Sequence, residues 1–297
     1  MKSYVISEND SGQRLNRFIE KIAPNLPKSI CYKAIRKKNI KINKKRCEAK
    51  DILATGDVVD IYLSDDFFIK KTKDASVSIS KGKLNIVYED INIIVINKPI
   101  GLKSQPDILG EDSLVGRLIN YMIETKKYDF ENENTFKPAL CNRLDTNTNG
   151  LVIAAKNAAV LRDINKLIRD GNIEKKYSCV VQGRPSKYSD ILTGWWSKDG
   201  KSNKVRITPF KRDNAKKVIT EYKVIEEFKE KSKLEVILHT GRSHQIRAHF
   251  ASIGHPIVGD IKYGSKFKGT QKLTACEIIF HSKNSILDYL DDKSISL

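Results

Sequence analysis

A short, continuous apolar run constrains the fold of this chain more than any other feature of its sequence. The run from Leu151 to Ala155 lies between an Asn-Gly pair and a Lys-Asn pair, and its length and flanks are typical of a buried β-strand. The loop before it, residues 141–150, carries Asp145. This carboxylate is expected at the edge of a core, where it is costly unless a cation or backbone N–H groups stabilise it. Such positions often hold an acid that takes part in chemistry.

The charge of the chain indicates a polyanionic partner. The 297 residues suggest one large domain or two domains, and a hydrophobic fraction of 40% suffices for a core. A net charge of +18 is typical of proteins that meet nucleic acid or an anionic membrane surface. No stretch has the length of a membrane span or the pattern of a signal peptide. The sequence also lacks the amphipathic anchor of a membrane-surface protein, which favours nucleic acid and no membrane.

The cysteines and histidines do not form a metal-binding pattern. The five cysteines are scattered without a Cys-x-x-Cys pair, as expected for small apolar residues in a reducing compartment. The five histidines all lie between His239 and His281, and none belongs to a His-Glu-x-x-His motif. The sequence therefore predicts a cytoplasmic protein without a metal.

The first 63 residues have the pattern of a small module. Apolar spacing predicts helices over 13–22 and about 28–38, followed by short strands over 40–42 and 58–63. The polar, serine-rich stretch 64–84 is predicted to be a linker.

This module carries a dense group of cations. A charged helix face is most often only solvated, but here the positive face continues into a hairpin, which suits a phosphate backbone. The module resembles an S4 domain, a small α/β unit that binds structured RNA. The resemblance implies these RNA-binding candidates: Arg14, Lys33, Arg36, Lys37, Lys41, Lys44 and Arg46.

Residues 85–297 are predicted to form a second domain dominated by strands. A hairpin is expected over 86–96, an amphipathic helix over 157–170 and a shorter helix over 244–253. Further strands are predicted over 177–181, 205–208, 218–224 and 234–238. Few helices and short connections favour a mixed α+β fold on a largely antiparallel sheet.

The residue pattern at Asp145 allows three interpretations. The Asp-x-Asn-x-Asn-Gly spacing matches the start of a calcium-binding loop, but Lys156 stands where a bidentate glutamate is needed, so calcium is rejected. Asp145 could instead cap a turn, which is the default for an aspartate in such a loop. The third interpretation is catalytic.

A second block supports the catalytic interpretation. Between Thr240 and His249, Arg247 follows His244 by three residues on a predicted helix, so both are expected on one face. Tyr177 begins a nearby predicted strand. One acid, one arginine and one tyrosine, without a second acid or metal ligands, suit an isomerisation that needs neither water nor a cofactor.

The second domain closely resembles the RluA family of pseudouridine synthases. The motifs that carry the resemblance are Asn97-Lys98-Pro99-Ile100-Gly101-Leu102, Asn142-Arg143-Leu144-Asp145, Glu174-Lys175-Lys176-Tyr177, Thr240-Gly241-Arg242-Ser243-His244-Gln245-Ile246-Arg247, and Gly254 to Gly264. The resemblance implies that Asp145 is the catalytic acid, that Tyr177 packs on the target base and that Arg247 pairs with the aspartate. It also implies that Arg143 fills the gap left by a flipped base, while Arg242 and His244 are further RNA-contact candidates.

The resemblance implies isomerisation of uridine in structured RNA. Large-subunit ribosomal RNA is the predicted target, tRNA is left open, and a monomer without cofactor is expected. Two positions depart from the family pattern, Asn142 in place of histidine and Asn149 in place of serine, which leaves the hydrogen bonding of the loop open. The alternative function is a non-catalytic RNA-binding or ribosome-assembly factor on the same scaffold.

Overall fold

The computed structural model describes residues 1–68, 82–108, 110–199 and 204–297, which form two β-sheets with their helices. The smaller sheet belongs to the N-terminal residues and the larger one to the rest. Most of the predicted linker, residues 69–81, lies outside the described residues. None of the helices in the described ranges is long and apolar enough to cross a membrane.

The N-terminal unit packs two helices on a four-stranded antiparallel sheet with the strand order β1-β4-β2-β3. Its elements are β1 (Lys2–Val5), α1 (Leu15–Ile22), α2 (Lys28–Arg36), β2 (Ile40–Ile42), β3 (Lys45–Arg46) and β4 (Val58–Ile61). The predicted helices are confirmed, and Leu15, Phe18 and Ile19 are buried as their helical spacing requires. The sequence pattern predicts Ile30 on one apolar face of α2 with Cys31 and Ala34. Those two are buried, but Ile30 is 40% exposed because it lies on the outer side of the helix.

The packing of this unit continues beyond residue 63. A short 3₁₀ turn, Asp65–Phe67, leads to the buried Phe68, whose ring stacks on Tyr4 with 6.4 Å between ring centroids. Phe68 therefore belongs to the N-terminal core.

The larger sheet has the strand order β11-β10-β12-β13-β9-β14-β8-β6-β5, with β15 paired to β14 and β7 to β8. Its strands are β5 (Ile86–Glu89), β6 (Ile93–Lys98), β7 (Ala139–Leu140), β8 (Asn149–Ala155), β9 (Ile173–Gln182), β10 (Ser189–Lys198), β11 (Val205–Thr208), β12 (Lys216–Glu227), β13 (Lys231–Leu238), β14 (Leu273–Phe280) and β15 (Ser294–Ser296). Its helices are α3 (Leu114–Glu124), α4 (Ala158–Arg169) and α5 (Gln245–Ser252). All described ladders are antiparallel except β8 with β14, so the predicted α+β class with a largely antiparallel sheet is confirmed.

The apolar run that opens β8 is buried on both faces of this sheet. Val152 and Ala154 join one core, which also contains residues of α3 and α5. Leu151 and Ile153 join a second core under α4. A strand covered on both sides has no polar face, which explains its unbroken hydrophobic sequence.

A polar contact joins the two units. The fully buried Asp10 carboxylate accepts hydrogen bonds from the Asn134 amide at 2.8 Å and from the Thr135 hydroxyl. The Asn9 amide oxygen accepts the backbone N–H of Ala158 at the start of α4, at 2.9 Å. Within the described ranges the apolar cores of the two units share no residue.

Candidate active site

The loop that carries Asp145 runs from β7 to β8 and is fastened at its base by a buried lysine. Lys98, at the end of β6, is completely buried, and its ammonium donates to the carbonyls of Pro99, Leu102 and Thr146 at 3.0, 2.8 and 3.2 Å. Burial lowers the pKa of Lys98 to about 8, and the nearby charge of Asp145 works in the opposite direction. A cation thus stabilises the backbone next to the aspartate.

A glycine fixes the exit of the loop into β8. Gly150 has a φ of +117°, and a Cβ atom there would lie 2.2 Å from the Ala275 carbonyl oxygen on β14. The parallel pairing of β8 with β14 begins at this point, so the two backbones approach more closely than a side chain allows.

Arg247 links Asp145 to a second, unpredicted aspartate. Its Nη1 donates to Asp145 Oδ2 at 2.8 Å, while Nε and Nη2 donate to the two Asp260 oxygens at 2.6 and 2.9 Å. Arg247 and Asp260 are buried, whereas the Asp145 side chain is 25% exposed. The pKa of Arg247 is raised by these two carboxylates, against the effect of burial, so the guanidinium stays charged. Asp145 therefore faces solvent on one side and a fixed cation on the other.

His244 also lies near the Asp145 carboxylate, but it is not on the helix face that the sequence predicted. It precedes α5 in a left-handed conformation with a φ of 55°, so a common helix face with Arg247 is not the reason for their proximity. Its Nε2 lies 3.7 Å from Asp145 Oδ2, and its Nδ1 lies 2.9 Å from the Tyr263 hydroxyl. Burial lowers the pKa of His244, an effect that Asp145 partly offsets. A neutral imidazole beside the acid follows at neutral pH.

Tyr263 completes the wall behind these residues. Its ring centroid lies 5.0 Å from the guanidinium carbon of Arg247, and its hydroxyl accepts the Val205 N–H at 3.0 Å. Tyr263 and Asp260 both lie in the motif 254–264, where an acid and a tyrosine beside glycines were the available signal.

Tyr177 lies inside β9 rather than at its start, and it is buried in the core next to the site. The strand register sets Tyr177 opposite Ala275 of β14, which in turn pairs with Gly150 at the end of the Asp145 loop. Burial raises the pKa of Tyr177 most, and the charge of Asp145 raises it further. The phenol therefore remains protonated at neutral pH and presents an aromatic ring with a neutral hydroxyl.

The other predicted contact residues are spread over both units. Arg143 and Arg242 are exposed, two and five residues from Asp145 and Arg247 respectively. Gln245 is buried and orders the Arg242 turn, because its carboxamide oxygen accepts the Arg242 N–H at 3.1 Å. The seven N-terminal cations belong to the smaller unit: Arg14, Lys33, Arg36, Lys37, Lys44 and Arg46 are exposed, and Lys41 is half-buried with its ammonium 5.7 Å from the Tyr62 ring centroid.

The two departures from the family pattern have structural partners. Asn142 Oδ1 accepts the Ile153 N–H at 2.8 Å and thereby extends the pairing of β8. Asn149 Oδ1 accepts the Thr274 hydroxyl at 2.9 Å across the junction of β8 and β14. Both asparagines therefore support the strand that positions the loop. Among the described residues, no three His, Cys, Asp or Glu side chains cluster as metal ligands would.

Comparison with known proteins gives the class of this chain, that of the pseudouridine synthases. Human RNA pseudouridylate synthase domain containing 1 has a similar fold, with a TM-score of 0.56 and 21% identity over 72% of this chain and 83% of that one. The RNA pseudouridylate synthase family model matches residues 92–252.

Two relatives are similar in sequence over most of their length. A Mycoplasma capricolum protein named as an uncharacterized RNA pseudouridine synthase is 34% identical over 99% of this chain and 97% of its own. The ribosomal large subunit pseudouridine synthase C of Rickettsia typhi is 33% identical over 85% of this chain and 82% of its own. The chain belongs to the RNA pseudouridine synthase family.

Proposed function

We propose that this protein converts uridines of large-subunit ribosomal RNA to pseudouridine, with Asp145 as the catalytic residue. The observation that carries the proposal is the 2.8 Å ion pair between Asp145 and Arg247. Arg247 is buried and held by Asp260, so its position does not depend on the substrate. A carboxylate that is held by a fixed cation at a partly open position is prepared to act on a sugar or a base.

The reaction needs no net exchange with solvent. The bond between C1′ and N1 of the uridine breaks, a bond between C1′ and C5 forms, and the proton from C5 is balanced by one gained at nitrogen. A carboxylate can serve as the nucleophile or as the base in such a sequence. The raised pKa of Tyr177 makes its phenol a poor base at neutral pH, which favours a packing role for this ring against the uracil.

The target nucleotide has to leave its helix, because no side chain reaches C1′ in stacked RNA. Unstacking costs on the order of a few kcal/mol. Arg143, exposed two residues before Asp145, is suited to fill the vacated position, and Arg242 to bind a neighbouring phosphate. Contacts between the basic surface and phosphates offset the remaining cost.

Ribosomal RNA is the proposed substrate because two relatives with 32–33% sequence identity are named as ribosomal large subunit pseudouridine synthases. The synthase of Rickettsia typhi is one, and the ribosomal large subunit pseudouridine synthase D of Borreliella burgdorferi is another, 32% identical over 77% of this chain. The N-terminal unit is proposed to act as an S4-like RNA-binding module, because its cations lie on α2 and the adjoining hairpin. Action as a monomer in the cytoplasm is part of the same proposal.

The replacement Asp145→Asn tests the catalytic role. Unmodified large-subunit ribosomal RNA made by transcription is incubated with the enzyme, and pseudouridine is mapped by chemical labelling. The variant should bind this RNA as the wild type does and form no pseudouridine. Asp65→Asn, at a side chain that is 80% exposed in the N-terminal unit, is the control and should be fully active. Pseudouridine formation by the Asp145 variant would contradict the mechanism, and a wild type that binds but never modifies RNA would favour an assembly factor.

A further inference from the structure

Strands β10, β11 and β12 form the end of the large sheet, and only one face of this end is covered. Residues paired across an antiparallel ladder point to the same face. Val205 and Trp196 pack with Ala248 of α5 on the face that also carries the Asp145 site. Trp195, the next residue in β10, points to the other face, together with its partners Thr208 and Lys217.

The uncovered face and its adjoining turn are strongly cationic. Between residues 204 and 217 there are six lysines and arginines but one acid, Asp213. Four cations of this face and its turn are exposed and have no carboxylate within 4 Å among the described parts of the chain: Arg206, Lys211, Arg212 and Lys217. Lys216 pairs with Trp196 and points to the other face. Like charges held together without partners repel one another, and a polyanion relieves that repulsion.

Two aromatic side chains lie among these cations. Phe210 is 80% exposed at the turn between β11 and β12, and the Thr208 hydroxyl donates to its carbonyl at 3.0 Å. The Lys211 ammonium lies 5.5 Å from the ring centroid of the half-buried Trp195. Aromatic rings interleaved with cations are the arrangement on which single-stranded nucleic acids bind, since bases stack on rings while phosphates meet cations.

The position of this face connects it to the catalytic loop. The Trp196 indole donates to the Ser243 carbonyl, next to His244, at 3.0 Å. Because Trp195 and Trp196 are adjacent, one indole lies on each side of the same strand. The uncovered face is therefore separated from the catalytic loop only by the edge of the sheet at β11, the last strand in the order.

We propose that Trp195, Arg206, Phe210, Lys211, Arg212 and Lys217, the β10–β12 surface, bind a single-stranded segment of the substrate RNA beside the modified nucleotide. The proposal rests on the proposed function, because it takes RNA as the substrate. Bases of the segment stack on Phe210 and Trp195, and its phosphates contact the surrounding cations. An anionic membrane would need an apolar face that enters the lipid, whereas this surface has two separate rings among charges.

Binding of a fluorescent 12-nucleotide oligouridine to the full-length protein tests the surface. Phe210→Ala and Trp195→Ala should each weaken binding about 5- to 100-fold, as expected for the loss of one stacked base. Replacement of Arg212 by glutamine should reduce the slope of log affinity against log salt by about 0.7. Phe228→Ala, at a 50% exposed phenylalanine next to Glu227 in the turn between β12 and β13, should leave the affinity unchanged.

Two further measurements separate the outcomes. Phe210 is exposed, so its replacement should leave the melting temperature unchanged and cannot lose affinity through unfolding. Asp145→Asn should bind oligouridine as the wild type does. Pseudouridine formation by that variant would refute the catalytic role of Asp145 but would leave the proposal for the β10–β12 surface unaffected. If the Phe210→Ala variant and the Arg212→Gln variant both bound oligouridine with wild-type affinity, the proposal would be overturned. An effect of these replacements on binding to phosphatidylserine vesicles but not to oligouridine would overturn it as well.

Discussion

Replacement of Asp260 by asparagine tests the idea that Arg247 is held from behind. The change keeps the size of the side chain but removes its charge. The NH2 group of the new amide is a hydrogen-bond donor, and it meets the guanidinium N–H groups of Arg247, which are donors as well. At least one of the two bonds, at 2.6 and 2.9 Å, is then lost. Breaking a buried ion pair costs about 3–5 kcal/mol. Because Arg247 keeps its bond to Asp145, we expect the lower end, about 3 kcal/mol.

Urea unfolding measures this loss. With a slope of about 3 kcal/mol per molar urea, the midpoint should fall by about 1 M. The same variant should lose activity on the order of 100-fold, because a displaced Arg247 leaves Asp145 out of position. Asp65→Asn is the matched control, since its 80% exposed side chain contributes little. A variant of Asp260 with wild-type midpoint and wild-type turnover would refute the reasoning.

Two other perturbations test parts of the scaffold. His249 is buried beside the Thr220 hydroxyl, and burial lowers its pKa to about 4. Because the imidazole takes up a proton more readily in the unfolded chain, protonation favours unfolding. The free energy of unfolding is therefore highest above pH 6.5 and falls by about 2 kcal/mol by pH 5. Urea midpoints at pH 7, 6 and 5 should decline more steeply for the wild type than for His249→Gln, and parallel slopes would contradict this. Gly150→Ala should cost more than about 3 kcal/mol in urea unfolding, because its methyl group meets the β14 backbone. Gly56→Ala, at a positive φ with open space around it, should cost about 1 kcal/mol, and equal losses would exclude the steric explanation.

The sequence indicated much of the fold because hydrophobic spacing reports burial directly. It was informative where an element has one clear face, as in α1 and α4, or two buried faces, as in the run starting at Leu151. Strand β10 escaped prediction because one of its faces stays open and Gly194 interrupts its pattern. Helix α3 was also missed, although Ser113 caps it and Leu114, Leu118 and Met122 recur at four-residue spacing.

The resemblance predicted the pairing of Asp145 with Arg247, but not the residues that hold the pair in place. Asp145 and Arg247 stood out because each lies in a motif, and the structure joins them over 102 positions. The role of Asp260 could not be predicted from the sequence, because an aspartate beside glycines can equally cap a turn or bind a distant cation. The contacts of Lys98 could not be predicted for a related reason: three backbone carbonyls surround its ammonium, and backbone groups have no sequence signature.

The contact around Asp10 has a consequence for how such a chain is assembled in evolution. The contact includes hydrogen bonds to Asn134 and Thr135 and the bond between Asn9 and Ala158. The described apolar cores on its two sides are separate. Detaching one unit from the other uncovers groups that water can solvate. A genetic fusion or deletion at this place therefore exposes no large apolar surface, and the N-terminal unit can be exchanged while the interior of the larger unit stays intact.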